Sequence, residues 1–131
     1  MRGLDTNVLV RMLVRDDPAL CSRVDALLDS LEAEQERSRI DAVALVETVC
    51  VLRSRYSFRK EQVAAALSAI LDNSGVVVDG HYEARAALGD WRVGTADFSD
   101  YYLARRNRAA GCRDTVTFDE DLAEFDGATG L

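Results

Sequence analysis

This chain of 131 residues has one histidine, one lysine, one proline and three cysteines, and each scarcity excludes something. With His81 alone, no site needing two histidine ligands can form, and a Ser-His-Asp triad would have to be built around that residue. Cys21, Cys50 and Cys112 are odd in number, widely spaced and without a CxxC pair, so the expectation is reduced thiols in a cytoplasmic protein. Lys60 is the only lysine, which leaves arginine to make any contact with phosphate, a task its bidentate fork suits. A single proline and eight glycines, set against 48% hydrophobic and 30% charged residues, describe a globular chain rather than a disordered or collagen-like one. No apolar run approaches the roughly 18 residues of a membrane span, and charges break up the opening MRGLDTNVLVRMLVRDDP. Neither a signal peptide nor a membrane anchor is expected. The net charge of -7 excludes a generally basic nucleic-acid binder, so contact with phosphate must be local or metal-mediated.

What is present alternates short strands with longer helices. A first strand ends near Leu4, and Asp5-Thr6-Asn7 starts a helix that Asp16-Asp17-Pro18 stops, with Pro18 well placed to open the next one. Leu20, Val24, Leu27, Leu28 and Leu31 fall at helical spacing. Arg39-Ile40 reads as a brief strand, and Asp41 can cap AVALVETVCVLRSRY, whose length favours a buried helix. Val63, Leu67, Ile70 and Leu71 mark a further helix, and Val76-Val77-Val78 a buried strand. Helices are expected from His81 to Arg92 and from Asp97 to Ala110, where Gly111 is a natural C-cap. Arg113 to Thr117 makes a last strand before a short acidic helix, and the ending GATGL is expected to fray. The length suits one domain over residues 1–131, of α/β class with a short, mostly parallel central sheet flanked by helices.

In such sheets ligands collect beyond the carboxyl ends of the strands. Asp5 follows the first strand, Glu47 lies within two turns of the start of its helix, Asp97 and Asp100 open another helix, and Asp119 follows the last strand. If they converge, two carboxylates about 4 Å apart repel by roughly 4 kcal/mol at an effective dielectric of 20, so such a cluster must take up protons or bind cations. Hard oxygen donors without histidine or cysteine point to Mg²⁺ or Mn²⁺, and such a site supports phosphodiester hydrolysis.

Each acid also has a plainer reading. Asp5 could be an N-cap, Asp97 and Asp100 a cap and its reciprocal partner, and Asp119 a favourable charge in a first helical turn. Glu47 resists this, as the only charged residue between Asp41 and Arg53. Buried unpaired it would cost several kcal/mol, unless a partner such as Arg11 met it. Thr6, Asn7 and Thr117 could orient carboxylates or simply make turns. Among the arginines, Arg11 and Arg53 are candidates for flanking phosphates. Phe98, Tyr101 and Tyr102 read first as core and only secondly as base-stacking residues.

Four blocks, LDTNVLVRMLVRDDP, ALVETVCVLRSRY, ADFSDYYLA and VTFDED, resemble in order those of PIN-domain ribonucleases, specifically the VapC-type toxins of VapBC toxin–antitoxin modules. The resemblance spans nearly the whole chain and implies an α/β/α PIN fold whose acidic pocket binds Mg²⁺ or Mn²⁺ and cleaves single-stranded regions of RNA. By position it assigns the family's four acids to Asp5, Glu47, Asp100 and Asp119, with Asp97 as an extra acid that assists or caps. It further implies a homodimer, inhibition by a cognate VapB-type antitoxin in a hetero-oligomer, and operator binding only through that antitoxin. The chain departs from the family in its short, weakly apolar ending and its near-absence of lysine. Two other classes remain: a PIN-like module that binds without cutting, and a phosphoacceptor receiver domain, which would need a lysine near the last strand where this chain has none.

Overall fold

The computed structural model describes residues 1–131, which form seven helices and five short strands. They fall into two compact units, Met1–Asp79 and Gly80–Leu131.

In the first unit β1 (Arg2–Gly3), β2 (Ser38–Ile40) and β3 (Val76–Val78) form a parallel sheet in that order. Arg2 is in register with Ser38, and Ile40 with Val78. Parallel neighbours need a crossover, and the intervening helices supply it: α1 (Thr6–Leu13) and α2 (Pro18–Ala33) between β1 and β2, then α3 (Ala42–Ser54) and α4 (Lys60–Asp72) between β2 and β3. Leu9, Ile40, Leu45, Leu52, Val63 and Leu67 are sealed in the core. Local chemistry sets the boundaries. Asp17 accepts the Leu20 N–H at 3.0 Å with Pro18 at the first helical position, and Asp41 accepts the Val43 N–H at 2.9 Å.

In the second unit α5 (His81–Val93) packs on α6 (Phe98–Ala109), and β4 (Thr115–Thr117), α7 (Glu120–Ala123) and β5 (Ala128–Gly130) follow. Trp91 meets Phe98 edge-on at 5.9 Å between ring centres, and Phe98 stacks on Tyr102 at 5.5 Å. Arg105 donates twice to the Asp90 carboxylate, at 2.7 and 2.8 Å, tying α6 to α5. Gly111 takes the positive φ of +91° that lets the chain leave α6, as expected for a glycine one residue past the cap.

The α/β class and its parallel strands are as the sequence indicates, with the strands grouped three and two. The ending corrects the expectation of fraying. Residues 128–130 pair in parallel with β4, Thr115 in register with Ala128, and the Leu131 N–H reaches the Thr117 carbonyl at 2.8 Å. Backbone hydrogen bonds hold a segment whose side chains are too small to announce themselves. No helix is long and apolar enough to cross a membrane.

Candidate active site

The acids of the second unit are positioned by the starts of α6 and α7. Asp97 is the N-cap of α6, and it forms a capping box with Asp100, whose Oδ2 accepts the Asp97 backbone N–H at 3.3 Å. The segment before the helix is tied down twice. The Tyr101 hydroxyl accepts the Ala96 N–H at 3.2 Å, and the Thr95 hydroxyl donates to Asp121 Oδ1 at 3.0 Å, which joins the approach to α6 with the first turn of α7. Asp119 is the N-cap of α7. Its Oδ1 accepts the Leu122 N–H at 2.8 Å, and its own N–H donates to Thr117 Oγ1 at 2.9 Å.

These acids share a field. Partial burial pushes the Asp100 carboxyl above its ordinary value, and the charges of Asp119 and Asp97 push it the same way, against the lowering effect of the Asp97 backbone hydrogen bond. A carboxyl raised by burial and by two like charges marks a functional-site candidate. The donor set consists of hard oxygens and fits Mg²⁺ or Mn²⁺. No three His, Cys, Asp or Glu side chains are, however, gathered as a metal chelate. Like charges repel, and here one oxygen of Asp100 and one of Asp119 are turned to backbone N–H donors instead. Each carboxylate keeps lone pairs for a cation.

In the first unit Asp5 stands at the N-cap of α1, yet its side chain makes no capping hydrogen bond; the Val8 and Leu9 N–H groups bond to its carbonyl at 3.0 and 3.2 Å. The plain capping reading therefore does not account for this carboxylate. Thr6 beside it is buried, whereas Asn7 is exposed. Glu47 corrects an expectation. It lies on the exposed side of α3 with Val43 and Cys50, while Ala44, Leu45, Thr48 and Val49 face the core, so it bears no burial penalty. Arg11 is not its partner. That guanidinium is paired with Asp16 and donates to the Tyr56 hydroxyl at 2.6 Å. Arg53 donates to the Phe58 carbonyl at 3.2 Å. Both arginines suggested for phosphate make these local contacts.

Phe98, Tyr101 and Tyr102 are core residues, at 2%, 4% and 1% exposure, which removes them as stacking candidates. Sequence reasoning missed Phe118, which is 82% exposed next to Asp119. Strand alternation was the available signal: Thr115 is buried and Thr117 half-buried, while Val116 and Phe118 are the outward members of the same series.

A family model decides the affiliation: that of the PIN domain matches residues 4–128, running across both units. The chain belongs to the PIN domain family. No curated protein matches it. PIN domains are generally metal-dependent nucleases, so the class of activity the family indicates is phosphodiester hydrolysis of a nucleic acid.

Proposed function

We propose that this PIN domain is a Mg²⁺- or Mn²⁺-dependent endoribonuclease that cuts single-stranded regions of RNA, working as one domain over residues 1–131 and as the toxin of a type II toxin–antitoxin pair. The observation that carries the nuclease reading is the PIN match over residues 4–128, and the placing of Asp97, Asp100 and Asp119 at the starts of α6 and α7 supports it. Asp5, Asp100 and Asp119 would hold the cation, with Asp97 as a further acid. Glu47 would be a ligand or position the attacking water. The assignment of Asp5 and Glu47 rests on their places in the sequence blocks and, for Asp5, on a carboxylate that no cap occupies.

A bound divalent cation would supply charge neutralisation at the scissile phosphate and a more acidic water. The chain's own residues set the rest. Thr117 fixes the Asp119 backbone, the capping box holds Asp100, and Thr6 and Asn7 flank Asp5. The toxin role, the homodimer, the VapB-type antitoxin that covers the site and the operator binding through that antitoxin follow from the VapC-like blocks, and a cytoplasmic setting from the widely spaced, unbridged cysteines. RNA cleavage by purified protein in Mg²⁺ or Mn²⁺, lost on Asp5→Ala and on Asp100→Ala, supports the reading. No cleavage, or equal cleavage by both variants, sinks it.

One observation favours a second reading, a PIN module that binds without cutting: the acids are not gathered as a chelate. Mn²⁺ calorimetry separates the two, because only the nuclease requires tight, carboxylate-dependent binding.

A further inference from the structure

We propose that Phe118 is a stacking platform for an unpaired nucleobase of the substrate, placed one residue before Asp119. The inference rests on the nuclease reading, whose substrate contact it supplies. Phe118 is 82% exposed, and it is absent from every ring and cation contact of the fold. The other rings near this edge are used internally: Tyr101 packs edge-on against Phe125 at 5.4 Å between ring centres, and Arg105 lies 5.3 Å over Phe125.

The ring stands on a pinned turn. Before it, Thr117 accepts the Leu131 N–H on its carbonyl at 2.8 Å; after it, the Asp119 N–H is held by Thr117 Oγ1 at 2.9 Å and the Asp119 carboxylate by the Leu122 N–H at 2.8 Å. A ring on a fixed backbone loses little freedom when a flat partner lies on it. The surroundings select that partner. Asp119, Glu120 and Asp121 follow directly, which disfavours an anionic surface at the ring and phosphate there without an intervening cation, whereas the neutral π-face of a base meets no such repulsion. Stacking is tolerant of base identity, so Phe118 contributes affinity and the placing of the strand rather than a cleavage sequence.

The test uses the full chain and a short single-stranded RNA carrying 2-aminopurine, whose fluorescence is quenched on stacking. Wild-type protein should quench it. Phe118→Ala should abolish the quenching and raise KM for RNA about tenfold with kcat unchanged, and Phe118→Trp should restore both. Phe118→Leu, apolar but without a π-face, should not restore the quenching. A wild type that quenches without cutting, with the quenching lost in Phe118→Ala, sinks the nuclease reading and leaves Phe118 as a base-stacking contact of a PIN module that binds without cutting. A wild type that cuts while Phe118→Ala keeps its quenching and KM overturns this inference alone, as does absence of quenching by the wild type. It is also overturned if Phe118→Ala changes only the sedimenting mass, since that would make the ring a protein contact.

Discussion

Asp100 Oδ2 accepts the backbone N–H of Asp97 at 3.3 Å, so the residue whose charge helps raise Asp100 also supplies the hydrogen bond that lowers it. Burial is the largest influence, and the net direction is upward. An acid whose pKa is higher folded than unfolded binds its proton more tightly in the native chain. Native stability therefore falls as pH rises from the unfolded value through the folded one, and above that the ionised carboxylate is a standing cost. Asp100→Asn keeps the size and an acceptor oxygen but removes the charge. In EDTA at pH 7 the variant should melt slightly higher than wild type, by a few tenths of a kcal/mol, about 1 °C, since the group is only partly buried and solvent screens much of the repulsion. Below about pH 4 the gap should close. Thermal melts across pH 3–8 check this; an Asn variant less stable at pH 7 would mean that the hydrogen bond outweighs the repulsion.

Asp119 combines two roles that substitution separates. Asp119→Asn retains an oxygen for the Leu122 N–H, so the melting temperature should stay close to wild type. Asp119→Ala removes the cap and should cost about 1 kcal/mol. Both delete a proposed cation ligand, and RNA cleavage should fall about a hundredfold or more in each, beyond the usual cost of losing a supporting contact. Activity that follows stability instead of charge would make Asp119 a cap and nothing else.

Cation binding should itself be visible in stability. A ligand that binds only the native chain stabilises it by about 2.7 kcal/mol at a hundred times its dissociation constant. Mn²⁺ should accordingly raise the melting temperature of the wild type, and Asp100→Asn, despite its higher metal-free starting point, should respond far less. Equal shifts in the two proteins would place the ion elsewhere.

Much of this is legible in the residue types alone. Asp17-Pro18, Asp41 and Gly111 carry their cap chemistry in the residue types, and Val76–Val78 and Ser38–Ile40 sit between helices long enough to cross over. Two features were not legible for physical reasons. β5 is held by backbone pairing, which leaves no mark in Ala128-Thr129-Gly130. Glu47 lies in an apolar run because its exposed neighbours on α3, Val43 and Cys50, are themselves apolar, and the run alone does not say which strip stays wet. The residue types of the acidic set were readable. The turning of Asp100 and Asp119 toward their nearest N–H donors was not, because it depends on the balance between repulsion and local hydrogen bonds.

Gly94 lies three residues before the N-cap of α6, where Tyr101 leaves no room for a side chain. A Cβ built there would overlap the Tyr101 hydroxyl and approach the Asp90 carbonyl at 2.9 Å. That hydroxyl holds the Ala96 N–H, one residue before the cap of α6. Gly94→Ala must therefore push Tyr101 aside or move the backbone, and overpacking of this kind costs about 1–3 kcal/mol. The melting temperature should fall, and cleavage should fall with it as the Asp97–Asp100 box loses its support. Adding Tyr101→Phe removes the overlapping oxygen and should recover part of the stability, although the Ala96 N–H then lacks its acceptor. A double variant no more stable than Gly94→Ala would place the clash on the Tyr101 ring carbon, 2.7 Å from that Cβ, or on the Asp90 carbonyl rather than on the hydroxyl.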